Sequence, residues 1–263
     1  MLMKDCDFSI IIPAYNNLEL FKRALGSVLK QKKVSFEIIV VDDSINDDIE
    51  TYVYIINQPS IRYYHNHPSK GAIANWNYGL SLAQGEYVEI LHHDEALESE
   101  NILSEVKQQF KMSQSTVVVA NYQVFINGEA KKEPSIKRRL RSFFIKHSIF
   151  LFLANLLGPC ACVFTKNSHK EFFDEKLRWF VDVEWYYRLL RKRKTNMLNP
   201  IFLISSIHGH QGQITETINI QSEAAKDARA ISKKYHSFFI NILLKINKLL
   251  NSSLSKRIIK YKR

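Results

Sequence analysis

The chain is poor in the residues that staple small secreted folds. It has three cysteines, Cys6, Cys160 and Cys162, in 263 residues. An odd number gives no even disulfide framework, and Cys160-Ala161-Cys162 lacks the second pair that would enclose a zinc ion. A reducing, cytoplasmic setting is therefore expected. Long apolar runs are also missing: the longest, SIFLFLANLL at 148–157, falls well short of the roughly 20 residues a membrane-spanning helix needs. The N-terminal MLMKDCDFSIIIPAYNN meets charged residues before any long apolar stretch and has no small-residue cleavage site, so it does not read as a secretory signal. Glycine is scarce, with eight in the chain, and none lies in PAYNN at 13–17. That argues against a glycine-rich triphosphate cradle after the first strand, and so against a sugar nucleotidyltransferase. No internal repeat or low-complexity linker interrupts the sequence.

What is abundant is positive charge, confined to one half. Residues 1–130 hold 10 Lys and Arg against 17 Asp and Glu, whereas residues 131–263 hold 27 against 9. The second half is expected to face something anionic: a lipid surface, a phosphorylated acceptor or nucleic acid. Nucleic acid is the weakest of these, because neither an exposed sheet of stacking aromatics nor a recognition helix is evident. With 46% hydrophobic residues the chain can bury a substantial core.

Short β-branched runs at 8–13 (FSIIIP) and 36–41 (FEIIVV) have the pattern of parallel strands buried on both faces. Between them Leu18, Phe21, Leu25, Val28 and Leu29 recur at helical spacing. Strand-like 61–65, helix-like 71–83 and strand-like 87–91 continue the alternation. The expected fold is α/β, a doubly wound, mostly parallel sheet whose ligand site lies at the carboxyl ends of its strands. Beyond 115 the reading is one or two strands over 116–126, a basic then apolar helix over 136–157, a helix over 181–194 and a strand over 201–207. The expected division is a domain over 1–220 and a basic, amphipathic helical tail over 221–263.

Successive strands deliver Tyr15-Asn16, Asp42-Asp43 and His92-His93-Asp94-Glu95 to one edge of the sheet. Any one cluster is as readily a set of turn formers and helix caps. Three at one edge suit a nucleotide.

The segments SIIIPAYNN, VVDDSIND, GAIANWNYGLSLAQGEYVEILHHDE and FVDVEWYYRLL resemble family 2 glycosyltransferases of the GT-A fold, in ordered blocks over about 7–215. The resemblance implies inverting transfer of a sugar from a nucleoside-diphosphate sugar, UDP- or dTDP-linked, with Mn2+ or Mg2+. It places Pro13, Ala14, Tyr15 and Asn16 around the nucleoside, with Asp42 and Asp43 accepting hydrogen bonds from the base or ribose. Ser44-Ile45 stands where relatives have Gly-Ser. Trp76 replaces an arginine expected at the diphosphate, leaving Lys70 to supply charge beside Asn77; a core aromatic is the plainer reading of Trp76. The Asp-x-Asp position becomes His92-His93-Asp94, with Asp94 as the metal ligand. His92 and His93 lie beside the donor, and a nearby imidazole leans toward manganese. Asp182 falls on the catalytic base, with Glu184 as the alternative and Val181 in place of a glutamate. His210, in HGHQGQIT, matches a segment whose histidine adds a metal ligand. Altered residues at 92 and 181 also leave room for a catalytically lapsed scaffold.

Lys137, Arg138, Arg139, Arg141 and Lys146 precede the apolar run, and the tail YHSFFINILLKINKLLNSSLSKRIIKYKR interleaves bulky apolar and basic residues. Both have the character of segments lying in a membrane interface. The expected partners are a nucleotide-sugar donor, a lipid-linked or glycan acceptor and an anionic membrane surface on the inner face of the cell membrane, with no nucleic acid.

Overall fold

The computed structural model describes residues 6–191, 195–197, 203–210 and 219–261. Its first half alternates as the apolar periodicity predicts: β1 (Phe8–Ala14), α1 (Leu18–Leu29), β2 (Phe36–Asp42), α2 (Asp48–Ile56), β3 (Ile61–His65), α3 (Ala72–Leu82) and β4 (Tyr87–Ile90). After β5 (Glu95–Leu97) and α4 (Ile102–Ser113) come β6 (Val117–Val119), β7 (Asn121–Ile126), β8 (Glu129–Ala130) and α5 (Ser135–Lys146). Then follow β9 (Val163–Lys166), α6 (Val181–Leu190), β10 (Thr195–Met197), β11 (Leu203–His208), α7 (Ile220–Tyr235) and α8 (Phe238–Tyr261).

The strands form a seven-stranded sheet in the order β10-β6-β9-β4-β1-β2-β3, and β9 alone among these runs antiparallel to its neighbours. Every residue of central β1 is buried. Alternate side chains feed two cores. Ile11, Ile39, Val41 and Ile90 pack with α3 and α6 on one face, while Ile10, Ile12, Ile38 and Val40 pack with α1, α2 and α4 on the other. The sheet is thus doubly wound, as the run pattern implies. A second sheet, β5-β11-β7-β8, continues from the carboxyl end of the first. The expected strand over 116–126 is two strands, one in each sheet, separated at Ala120.

Close helix–sheet approach fixes one glycine. A Cβ on Gly79, in α3, would stand 2.4 Å from Ile11 Cγ2 and 3.2 Å from Val41 Cγ2. The helix therefore rides directly on β1 and β2, and that contact sets the height of its N-terminus above the carboxyl edge.

One expectation changes. The run at 148–157 is not a helix continuing α5 but a 3-10 turn over Ser148–Phe152 followed by an irregular segment, and Leu151, Phe152, Leu156 and Leu157 are buried in the α3 and α6 core. Its apolar residues are spent on the fold and are not free for a membrane. Ile231, Ile240, Leu243 and Leu244, from α7 and α8 in the expected tail, belong to that same core. Removal of the chain from about 235 would open the core, since each buried aliphatic side chain contributes about 1.5–3 kcal/mol. The expected helix over 181–194 ends at Leu190, with 192–194 outside the described residues, as are 201–202 at the start of the expected strand.

Gly79→Ala is expected to force Ile11 and Val41 apart at a cost of about 1–3 kcal/mol. Thermal melting should record a loss of several degrees relative to the unsubstituted chain.

Candidate active site

At the carboxyl edge, β1 leads into a sharp turn through Asn16 (φ +50°), a left-handed conformation that asparagine tolerates. The Asn16 amide donates to Ser44 Oγ at 2.8 Å, and its side-chain oxygen accepts from the Ile45 amide at 2.9 Å. The β1 and β2 loops are thereby stitched together, with Tyr15 41% exposed at the rim.

The acidic pair of β2 is buried, and its oxygens are met by the protein. Asp42 accepts from the Ser44 amide (2.9 Å), the Ser44 hydroxyl and the Tyr63 hydroxyl (2.8 Å). Asp43 accepts from Asn66 Nδ2 (2.8 Å), Ser69 Oγ (3.0 Å) and the amides of Lys70 (3.2 Å) and Gly71 (2.8 Å). Asn66 also donates to Asn75 Oδ1, and Asn75 donates to the Val41 carbonyl, each at 2.8 Å. The pair expected to face a base or ribose thus shapes the loop between β3 and α3. Asn77 too is structural: its amide clasps Phe173 N, Phe173 O and Glu175 Oε1 at 2.8–3.0 Å. The Lys70 ammonium lies 5.0 Å from the Tyr78 ring centre.

The chemistry-bearing cluster is at the end of β4. Ligand atoms of His92, Asp94 and Glu95 lie within 4.8 Å of one another. His210 Nε2 is 3.3 Å from Asp94 Oδ2, and the His93 ring lies 5.9 Å from that of His210. Glu95 accepts from the His92 amide at 2.8 Å, with His92 Nδ1 at 3.4 Å. His92 Nε2 is buried with no hydrogen-bond partner among the described residues. Burial disfavours charge on His92, but Glu95 first, then Asp94 and Asp182, outweigh it and raise the imidazole to about 9. Burial would also raise Asp94, yet the His210 hydrogen bond and the neighbouring histidines bring it down to about 2. Burial pushes His93 the other way, downward. The carboxylates of Asp94 and Glu95 with the imidazoles of His92 and His210 make a donor set that fits a divalent cation, which would engage His92 by displacing its proton. The rest of the HGHQGQIT segment, from 211, lies outside the described residues.

Asp182 occupies the first turn of α6, partly accessible. Burial raises its carboxyl above the usual aspartate range, while the His92 charge and a hydrogen bond from the Cys160 thiol (3.4 Å) partly offset the rise. Glu184, the alternative base, is fully buried and bound to Arg188 Nε (2.9 Å), Lys234 Nζ (2.9 Å) and the Tyr235 hydroxyl. It ties α6 to α7 and is closed to an acceptor. Trp76 is 7% exposed and packs its ring 4.7 Å from that of His92 and 5.2 Å from that of Phe173, so the core reading holds and it also walls the site.

Glu95 completes the cluster in which the sequence already groups it with His92, His93 and Asp94. Two further residues of this arrangement carry no signal in the sequence. Arg23, on α1, donates to the Asp94 carbonyl at 3.3 Å and to the Ser205 hydroxyl. Asp227, on α7 and 1% exposed, uses one oxygen to accept the amides of Arg178, Trp179 and Phe180 at 2.7–2.9 Å. Those are the amides just before α6, so α7 fixes the start of the helix that carries Asp182.

A doubly wound sheet with a His-Asp-Glu cluster at its carboxyl edge defines a GT-A type α/β domain. A family model described as glycosyl transferase family 2 matches residues 9–175, and the chain belongs to that family. An uncharacterized glycosyltransferase of Rickettsia typhi is 26% identical over 207 residues, covering 77% of this chain and 64% of that protein. The putative colanic acid biosynthesis glycosyl transferase WcaA of Escherichia coli is 39% identical over 89 residues, covering 33% of this chain and 32% of that one. Staphylococcus aureus TarS residues 1–349, solved with UDP-GlcNAc, shares the fold with a TM-score of 0.68 at 17% identity, covering 86% of this chain and 66% of that one. The chain thus spans less than two thirds of the length of these proteins.

Asp227→Ala leaves three backbone N–H groups without their acceptor, and urea denaturation should show a loss of at least about 2 kcal/mol. Asp227→Asn, which keeps an acceptor oxygen in place, should recover most of it.

Proposed function

We propose that this chain transfers a sugar from a nucleoside-diphosphate donor to a lipid-linked or glycan acceptor with inversion, in the building of a cell-surface polysaccharide. The observation that carries this reading is the meeting of His92, Asp94 and Glu95 with a partly buried Asp182 that feels the His92 charge. The UDP-GlcNAc bound by TarS and the colanic acid assignment of WcaA support a UDP-sugar donor and a polysaccharide product.

The donor's nucleoside enters between the β1 and β2 loops, where Tyr15 offers an exposed ring and Pro13, Ala14 and Asn16 line the turn. With Asp42 and Asp43 engaged by the protein, their part is to hold these loops in shape, and the base is read by backbone groups and Tyr15. Asp94 and His210, with His92 and Glu95 beside them, would hold Mn2+ or Mg2+, which when bound would offset the negative charge of the diphosphate. The acceptor hydroxyl attacks C1 of the sugar from the face opposite the diphosphate. Asp182 takes the hydroxyl proton as the new C–O bond forms, and the old C1–O bond breaks with its electron pair leaving on the nucleoside diphosphate. A base poised in this way needs its carboxyl raised but ionised, which burial and the His92 charge together provide.

For the acceptor side, α8 offers Phe239, Ile242, Ile246, Leu249 and Leu250 along one exposed stripe, adjoining the Ile240, Leu243 and Leu244 face that docks on the core. Phe238 stands at the head of the helix, and Lys245 and Lys248 flank the stripe. No described helix is long and apolar enough to cross a membrane. The stripe rests in the surface of an anionic bilayer carrying the acceptor.

Asp182→Asn should lower turnover by about 100-fold or more, in line with the roughly 10²–10⁴ of general-base catalysis, while UDP binding in manganese is retained. The unsubstituted chain should lose activity on the acid side at a pH above that of an ordinary aspartate, because only the ionised carboxylate accepts the proton. Asp94→Ala should instead abolish manganese-dependent UDP binding by calorimetry. Full transfer by both variants ends the proposed mechanism.

Phe238→Asp with Phe239→Asp, both on exposed positions, should reduce sedimentation with phosphatidylserine-rich vesicles at least tenfold without altering the melting temperature. Unchanged sedimentation removes the membrane role of α8.

A further inference from the structure

On the far side of the β2 loop from Tyr15, a second group of metal-ligating side chains has assembled away from the His92–Asp94–Glu95 cluster. Asp47 precedes the first turn of α2, and His65 and His67 stand at and just beyond the end of β3; one ligand atom from each lies within 4.8 Å of the others. His65 and His67 face each other, with His65 Nδ1 and His67 Nε2 at 3.1 Å. Glu50, one turn into α2, brings Oε2 to 3.4 Å from the same His65 Nδ1.

The hydrogen bonding fixes how His65 presents itself. Its Nε2 lies 3.0 Å from the Ser44 carbonyl oxygen. A carbonyl only accepts, so Nε2 carries the hydrogen, and in the neutral ring Nδ1 then holds a lone pair aimed at His67, Asp47 and Glu50. Metal-binding histidines are characteristically oriented in this way, with the non-ligating N–H donated to a backbone carbonyl. The His65 side chain is only 8% exposed, so its orientation is held by packing as well. The spacing also suits an ion: nitrogens bound at about 2.0–2.1 Å in tetrahedral geometry stand roughly 3.3 Å apart, close to the 3.1 Å seen between the two rings.

We propose that Asp47, His65 and His67, with Glu50 as the fourth ligand, form a site for a zinc-class transition ion, distinct from the cation at Asp94. Two imidazoles and two carboxylates favour Zn2+, Co2+ or Ni2+ over Mg2+, which takes oxygen ligands and keeps its waters. The ion joins the first turn of α2 to the end of β3 across the loop that carries Ser44. Since Ser44 also accepts from the Asn16 amide, the site braces the turn between β1 and β2 from behind.

The test uses the full chain carrying Asp94→Ala, so that the first cluster is weakened, after removal of metal with a chelator. Titration with Co2+, followed by its visible absorption, and competition by Zn2+ should reveal a tetrahedral site and a rise in melting temperature with Zn2+. Adding His67→Ala, at an exposed position, should weaken Zn2+ binding at least tenfold and abolish the absorption band while leaving the metal-free melt unchanged. Asp47→Ala should do the same to a lesser degree. Absence of binding in the Asp94→Ala chain, or equal affinity and spectrum with and without His67→Ala, overturns the site and reduces the His65–His67 contact to a hydrogen bond between rings.

Discussion

Carboxylates crowd the carboxyl edge of the sheet, and each one shut away from water must be met by donors or surrender its charge. That constraint organises the rest of the molecule. Asp43 gathers four donors and in doing so draws Asn66, Ser69, Lys70 and Gly71 into the loop above α3. Asp42 is met by Ser44 and Tyr63, Glu184 by Arg188, Lys234 and Tyr235, and Asp227 by three successive amides. Glu89, buried in β4 with both oxygens unpartnered among the described residues, is driven well above the carboxylate range by its burial.

Against that background the residues left for chemistry are those whose charge is only partly answered. Asp94 is held ionised by three histidines, and Asp182 is raised by burial yet tempered by His92. The same imidazole couples both, so the two carboxylates share one electrostatic environment. The departures from the usual family residues make sense in this setting. His92, in place of an aspartate, supplies positive charge between two carboxylates, and Trp76, in place of an arginine, packs against that histidine and leaves the charge balance to it.

The basic half does two jobs that composition merges. Arg141 is fully buried and bonds to Asn121, Leu156 and Glu133, fastening α5 to the second sheet. Lys234 closes the Glu184 network. Arg141 is thus an interior brace and Lys234 a surface clamp on a buried carboxylate, whereas the α8 lysines border a stripe that stays in solvent.

Sequence alone determined the alternation of strand and helix through residue 91, the parallel and doubly wound arrangement, the family, and the edge to which Tyr15, Asp42 and Asp94 are delivered. Those follow from local periodicity and from motif order, both of which are written along the chain. Tertiary structure decided which carboxylates are free. Asp42, Asp43 and Glu184 have the same side chains as groups that do chemistry, and only the fold shows which donors engage them, up to 51 positions away for Glu184 and Tyr235. It also decided that the run at 148–157 and much of the tail belong to the core, because an apolar face does not state what it will be buried against. Asp227 and the His65–His67 pair are the extreme cases: their partners come from separate elements, and nothing in the local sequence records the meeting.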